Sequence, residues 1–313
     1  MAAFETPVHE VDGVLAGPLR MPRQMLAVQE YDGHASIHDD ETARKLGFKG
    51  GTIEGPTHFS QFAPLGSAVW GEAWFAHGCL SAHYRNAAFE GEEVRAFLRR
   101  PAAGERQAEV WMLRADGTEI LGGTASLGPH FAPTALDRRL AELTPLADPV
   151  VLADVKVGLT SQRVPVRMDA DQHMGALYPF SLAQKLERIT EPSPWYSGDA
   201  SPWGRAIVPM EMISVLMQYT ARDGVFPVRG PAVGLFADQE IRLLDGPVFV
   251  GEAYEVRREV VAMSGSRRTE SLWVRSTLYA AQTDRKVATM LLNLATLKES
   301  YAPYAAERAA LYG

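Results

Sequence analysis

The chain is written twice. Two stretches of the same make-up recur at a spacing of roughly 140 to 160 residues, and a duplication constrains a fold tightly, because both copies must bury their apolar faces in the same way. In the first copy, Ile53-Glu54-Gly55-Pro56 opens an apolar segment, His58 to Trp70, that reads as a helix. In the second, Ala206-Ile207-Val208-Pro209 opens Met210 to Ala221, another apolar helix. Proline suits a first helical turn, where the missing N–H costs nothing. Strand-like text follows each helix, and Phe89-x-Gly91-Glu92 falls on Phe249-x-Gly251-Glu252. Alternating runs then pair up: Gln107 to Arg114 and Glu119 to Leu127 around Asp116-Gly117, a strong hairpin signal, against Thr269 to Ala281 and Lys286 to Leu297. Trp111 and Trp273 hold matching places, and the stretch from Leu143 to Pro149 reads as the linker.

A sheet buries one face, and an apolar helix laid across it completes a two-layer unit. The expectation is an α+β double hotdog, two fused units at 1–145 and 146–313, each a long central helix wrapped by an antiparallel sheet. Its 313 residues suit such a pair. A fused double unit satisfies its sheet edges internally, which predicts a monomeric double unit or a loose homodimer. The net charge of −7, without a clustered basic surface, argues against nucleic acid. One cysteine, Cys79, excludes an internal disulfide and cysteine-rich zinc sites. No apolar stretch approaches the ~20 residues of a membrane span. Met1 to Glu10 has no apolar core of a secretory signal, so a cytoplasmic protein is expected.

The densest polar text follows a strand expected at Leu26 to Glu30 and runs from Tyr31-Asp32-Gly33-His34-Ala35-Ser36-Ile37-His38-Asp39-Asp40 to Gly55-Pro56. It resembles the MaoC-like, or R-specific enoyl-CoA hydratase, family of hotdog proteins, whose signature is D-x-N-P-[LIV]-H followed by an acid, an Ala, a Gly-Phe and a Gly at the helix start. Ile37, His38, Asp40, Ala43, Gly47-Phe48 and Gly55 match. Gly33, Ala35 and Ser36 stand where the signature has Asp, Asn and Pro, and an acid stands one residue early, at Asp32.

The resemblance implies a hydro-lyase that hydrates a 2-enoyl or dehydrates a 3-hydroxyacyl thioester carried by CoA or an acyl carrier protein, with no cofactor and no metal. It implies an Asp and a His sharing the proton work, and a backbone N–H at the helix start serving the thioester oxyanion. The candidates are His38, whose ordinary pKa of ~6.5 suits acid–base work, with Asp32 and, more weakly, His34. Gly55 and Thr57 can offer unpaired N–H groups, since the first amides of a helix lack intrahelical acceptors. Each has a plainer role open: His38 could cap the helix starting at Asp39-Asp40-Glu41, and Asp32-Gly33 could be an ordinary turn. Tyr31, Thr57, His58, Asp169 and Glu211 are expected at the substrate, with Asp169 or Asp171 an alternative acid opposite His38. Two other functions remain open: a thioesterase using Glu54 or Glu211, and a catalytically degenerate acyl-thioester binding protein, which the lost signature Asp and Asn would favour. The aromatic run Trp195-Tyr196 to Trp203 reads as a loop packing onto the core. No GxGxxG, GxxxxGK[ST], G-x-S-x-G or H-E-x-x-H motif occurs.

Overall fold

A computed structural model describes residues 2–31, 34–222 and 226–313. Its strands, in chain order, are β1 (His9–Val11), β2 (Val14–Ala16), the short pair β3 (Glu30–Tyr31) and β4 (His34–Ala35), β5 (Gly78–Tyr84), β6 (Val94–Arg99), β7 (Gln107–Arg114), β8 (Glu119–Leu127), β9 (Val164–Val166), β10 (Gly234–Leu243), β11 (Tyr254–Gly265), β12 (Thr269–Ala280) and β13 (Lys286–Leu297). The α-helices are α1 (Asp40–Lys45), α2 (Ala63–Trp70), α3 (Ala73–His77), α4 (Ala135–Ala141), α5 (Leu182–Leu186), α6 (Met210–Gln218) and α7 (Tyr304–Tyr312), with a 3-10 segment at Gly55–Phe62 running into α2.

Eleven strands make one antiparallel sheet in the order β1-β2-β6-β7-β8-β5-β10-β13-β12-β11-β9. The alternation read in the sequence decides which side each residue takes: Ala108, Val110 and Met112 of β7 are all buried. The two meanders, β6-β7-β8 and β11-β12-β13, are joined at a seam where Cys79–His83 of β5 faces Arg242–Asp238 of β10. Against the sheet lie the 3-10 segment and α6, in contact with each other. Phe59, Phe62 and Leu65 from one side, and Met212, Leu216 and Met217 from the other, are fully buried in a shared core.

The bounds differ from the sequence reading in three places. The first long helix begins as the 3-10 segment and becomes α-helical at Ala63, with Pro64 in the first turn of α2, where its missing N–H costs nothing. The second ends at Gln218, where the buried Arg258 guanidinium takes the Met217 carbonyl at 2.6 Å. The strand expected at Leu26 to Glu30 shrinks to Glu30–Tyr31.

The repeat is real but its register is not the one the prolines suggest. Thr52 bridges Phe89 and the Ile53 amide meets the Ala88 carbonyl at 2.8 Å; Ile207 bridges Phe249 and the Val208 amide meets the Val248 carbonyl at 2.8 Å. Thr52 therefore matches Ile207, Glu54 matches Pro209, and Pro56 matches Glu211. Glu54 and Pro209 are both N-caps. The two prolines sit two positions out of step.

Ahead of the expected linker, α4 is opened by a capping box between Thr134 and Asp137 and lies against β5, β8 and β10 at the seam, where Leu136 shares a buried cluster with Trp273 and Leu291. The aromatic loop packs onto the core, with Trp195 against Phe75 at 4.9 Å between ring centroids. Among the described residues, no helix is long and apolar enough to cross a membrane.

Candidate active site

The loop carrying the motif is laid along Gly50–Ile53 by short-range bonds. The Thr52 amide meets the Ile37 carbonyl at 3.1 Å, and the Gly51 amide meets Asp40 Oδ1 at 2.8 Å. Gly51 has to be small, since a Cβ there would run into the His38 carbonyl. The cap of α1 is Asp39, whose Oδ1 accepts the Thr42 amide at 2.8 Å. His38 is thereby free of the capping role, and its ring turns to the start of the 3-10 segment. There Nδ1 lies 2.7 Å from the Thr52 carbonyl. A carbonyl only accepts, so Nδ1 carries the proton and Nε2 keeps its lone pair. Burial, with a smaller push from Lys185, holds the imidazole below its ordinary pKa despite the opposing pull of Glu54 and the Thr52 bond. His38 is therefore a neutral base at neutral pH.

His38 lines a cavity of about 600 Å³ together with Thr52, Glu54, Gly55, His58 and Tyr84. The second half supplies an apolar side, Phe226, Val228, Phe236, Leu272, Val274 and Leu294. Gly55 is the first residue of the 3-10 segment, so its amide has no intrahelical acceptor and a developing negative charge there meets the positive end of a helix. The Tyr84 ring rests on Gly55, and its hydroxyl donates to Gln239 Oε1 at 2.9 Å. The Thr57 amide is not available for the same task. It donates to the Glu54 carbonyl at 3.0 Å.

Behind this wall lies a buried chain of charge. Glu54 Oε1 accepts the Met25 amide at 2.7 Å, and Oε2 accepts the Thr57 hydroxyl at 3.1 Å. Thr57 in turn accepts from Lys185 Nζ at 2.8 Å, and Lys185 lies 3.5 Å from Glu211. Burial pushes the Glu54 carboxyl up, but Lys185, His38 and the Met25 amide outweigh it and hold it below its ordinary range. Glu211 goes the other way, because its burial outweighs Lys185. His58, also fully desolvated, is pushed down to about 4. Its Nδ1 is buried without a hydrogen-bond partner.

Comparison with solved structures matches this layout. A MaoC domain protein of Chloroflexus aurantiacus, described as a dehydratase, superposes over 95% of this chain and 96% of its own at 14% identity, with a TM-score of 0.52. The chain is a double hotdog. Two further double-length matches are a Mycobacterium tuberculosis protein described as having a double hotdog fold (12% identity, 83% and 86% covered, TM-score 0.49) and the PpsC dehydratase domain of the same organism in complex with C12:1-CoA (10%, 94% and 98%, 0.46). No family model matches the sequence, and no curated protein does.

In this double hotdog the expected residues separate into two sets. His38, Gly55 and His58 come together at the cavity, with Glu54 beside them. Thr57 and Glu211 are buried behind it, their polar atoms turned to Lys185. Asp169 is half exposed and bound to Arg167 at 2.9 Å on the surface, away from the cavity wall, and Asp171 is exposed. Neither lines the cavity with His38. Asp32 and the side chains of Tyr31 and His34 lie outside the described residues. Lys185, Tyr84 and Tyr178 of the site were missed by sequence reasoning. In Leu182-Ala-Gln-Lys-Leu, a lysine next to Gln184 reads as an ordinary solvated helix charge. Among the described residues, no group of three or more His, Cys, Asp or Glu side chains is placed to hold a metal ion.

Proposed function

We propose that this double hotdog is a hydro-lyase acting on an acyl thioester, adding water to a 2-enoyl group or removing it from a 3-hydroxyacyl group. The observation that carries the reading is His38: a neutral imidazole tautomerically fixed by the Thr52 carbonyl, in a cavity that Gly55, the first residue of the 3-10 segment, also lines. In dehydration, Nε2 takes the proton from C2, and the electron pair moves toward the thioester oxygen, where the Gly55 N–H holds it. The pair then returns to form the C2–C3 double bond while the imidazolium gives its proton to the departing 3-hydroxyl. One proton leaves C2 and one water leaves the substrate. Hydration is the reverse. The apolar side of the cavity, from Phe226 to Leu294, suits the acyl chain, and the dehydratase description of the C. aurantiacus protein agrees with the chemistry.

The test is direct. Purified protein is incubated with 2-enoyl-CoA and 3-hydroxyacyl-CoA thioesters of graded chain length, and the conjugated enoyl absorbance is followed. The reading predicts interconversion abolished by His38→Ala; no interconversion at any chain length, on CoA or on an acyl carrier protein, overturns it. A thioesterase reading rests on one observation, that Glu54 is the single carboxylate among the described residues lining the cavity. Release of free thiol from acyl-CoA, lost in Glu54→Gln, would select it instead.

A further inference from the structure

The signature carboxylate that should accompany His38 is replaced here by glycine at position 33, yet the cavity wall holds an ionised carboxylate of different origin. The hydrogen bonds around it suit the charged form. An ammonium can only donate, so Lys185 Nζ gives a proton to Thr57 Oγ1 at 2.8 Å. Thr57 has one proton of its own, which it gives to Glu54 Oε2 at 3.1 Å. Glu54 Oε1 is already an acceptor for the Met25 amide at 2.7 Å. Both carboxyl oxygens therefore accept, which is the state of a carboxylate.

We propose that Glu54 supplies the negative charge that stabilises the His38 imidazolium during turnover, and that Lys185, contributed by the other half of the chain through Thr57, is its positioning residue. The inference rests on the hydro-lyase reading for its catalytic meaning, though the Lys185–Thr57–Glu54 chain can be tested without turnover. No proton passes to Glu54. It stays ionised while His38 Nε2 takes the C2 proton and returns it to the leaving hydroxyl. Five groups face Glu54 from the packed elements: His38 from the motif loop, His58 from the 3-10 segment, Tyr178 from the loop before α5, Lys185 from α5 and Glu211 from α6. Lys185 is the one amine among them, and its Nζ reaches Thr57 at 2.8 Å and Glu211 at 3.5 Å. Glu211 is kept toward its neutral form by burial, so the positive charge of Lys185 is directed at Glu54.

Two substitutions move the pH profile in opposite directions. Lys185→Met removes the cation, so Glu54 and the imidazole of His38 both titrate higher, and the acidic limb of kcat/KM moves to higher pH. Glu54→Gln removes the anion, so His38 titrates lower, and the acidic limb moves to lower pH with kcat down about 10²-fold. Thr57→Val breaks the chain and follows Lys185→Met, while Thr57→Ser restores the parent profile. A residue that only holds the fold together lowers activity without opposite displacements, so limbs that stay put or move together overturn the inference. Should Lys185→Met fail to fold, the Thr57 pair carries the same comparison. Infrared difference spectra, parent against Glu54→Gln, follow the Glu54 carboxylate directly. It should titrate below the ordinary carboxylate range in the parent and at least one pH unit higher in Lys185→Met or Thr57→Val. An inactive parent with that carboxylate shift retained refutes the hydro-lyase reading alone; an active parent without the shift refutes the charge chain alone.

Discussion

Gly55→Ala sets two physical effects of opposite sign against each other. In an unobstructed helix, alanine is favoured over glycine by roughly 0.5–1 kcal/mol, so a bare propensity argument makes the substitution stabilising. The structure reverses that sign. A β-carbon on Gly55 would lie 2.5 Å from Tyr84 Cζ and 2.9 Å from its hydroxyl oxygen. Ordinary contact begins near 3.4 Å, so the ring has to move by roughly 0.9 Å. Tyr84 cannot swing freely, since its hydroxyl is bound to Gln239, whose own amide is bound to Ser214 at 2.7 Å. Gln239 is fully buried, and a weakened bond there leaves a desolvated amide oxygen poorly paired. Overpacking costs about 1–3 kcal/mol and a compromised buried hydrogen bond about 1, which together exceed the propensity gain and leave Gly55→Ala destabilised by about 2 kcal/mol. The assay is urea denaturation of four proteins: parent, Gly55→Ala, Tyr84→Ala and the double variant. Tyr84→Ala is destabilised by about 3 kcal/mol or more for its lost volume, but in that background Gly55→Ala turns neutral or slightly stabilising. The coupling between the two sites is thus about 2 kcal/mol. A coupling near zero, or a Gly55→Ala protein as stable as the parent, refutes the claim that Tyr84 dictates glycine at this position.

Other outcomes follow from the same geometry. His38→Ala lowers kcat on a thioester substrate by about 10² to 10³-fold with the melting temperature little changed, as measured by steady-state kinetics and calorimetry. Asp32→Asn discriminates between carboxylates: with Glu54 in the supporting role, kcat stays within about threefold of the parent, whereas loss comparable to Glu54→Gln returns that role to Asp32. His58 is held at about 4 against ~6.5 in an unfolded chain, so the unfolded state binds the extra proton between these values and stability falls as pH drops through that window, by about 3 kcal/mol in all. Denaturation midpoints between pH 7 and 4 should show that loss, and His58→Gln should flatten it. Leu136→Ala uncovers Trp273 and costs about 2–4 kcal/mol in the same assay.

The repeat, the hairpins and the loop that lines the cavity were legible because each is a local pattern. Alternation marks a strand wherever one face is buried, and the ends of β7, β8 and β13 coincide with the ends of the patterned text. His38 and Gly55 were legible from their spacing within one loop. What was not legible depends on which residues the sheet brings together across the duplication. Lys185 acquires meaning only because α5 is set against the 3-10 segment, 128 residues away in sequence from Thr57. Asp169 is the complementary case: the sequence does not show that it pairs with Arg167 at the surface and is not part of the cavity lining. Pairing Pro56 with Pro209 misled as well, because identical residues suggested a register that the backbone bonds place two positions elsewhere.

The seam between β5 and β10 has an evolutionary consequence. When two identical chains meet across a twofold axis, any residue that contacts a different residue must do so twice, so a useful substitution at one end is imposed on the other. The pairing here centres on Ser81 opposite Glu240, with His83 facing Asp238 at one end and Cys79 facing Arg242 at the other. At the first end a histidine meets an aspartate at 2.7 Å, while the second sets a thiol beside a guanidinium; the ends share no chemistry. Tyr84 with Gln239, and Lys185 with Thr57, are likewise bonds made once. Such one-sided pairs require that the two copies be separately encoded, as they are in one fused chain. With both copies in one chain each position changes without its twin, and the seam carries a His–Asp pair at one end with no counterpart at the other.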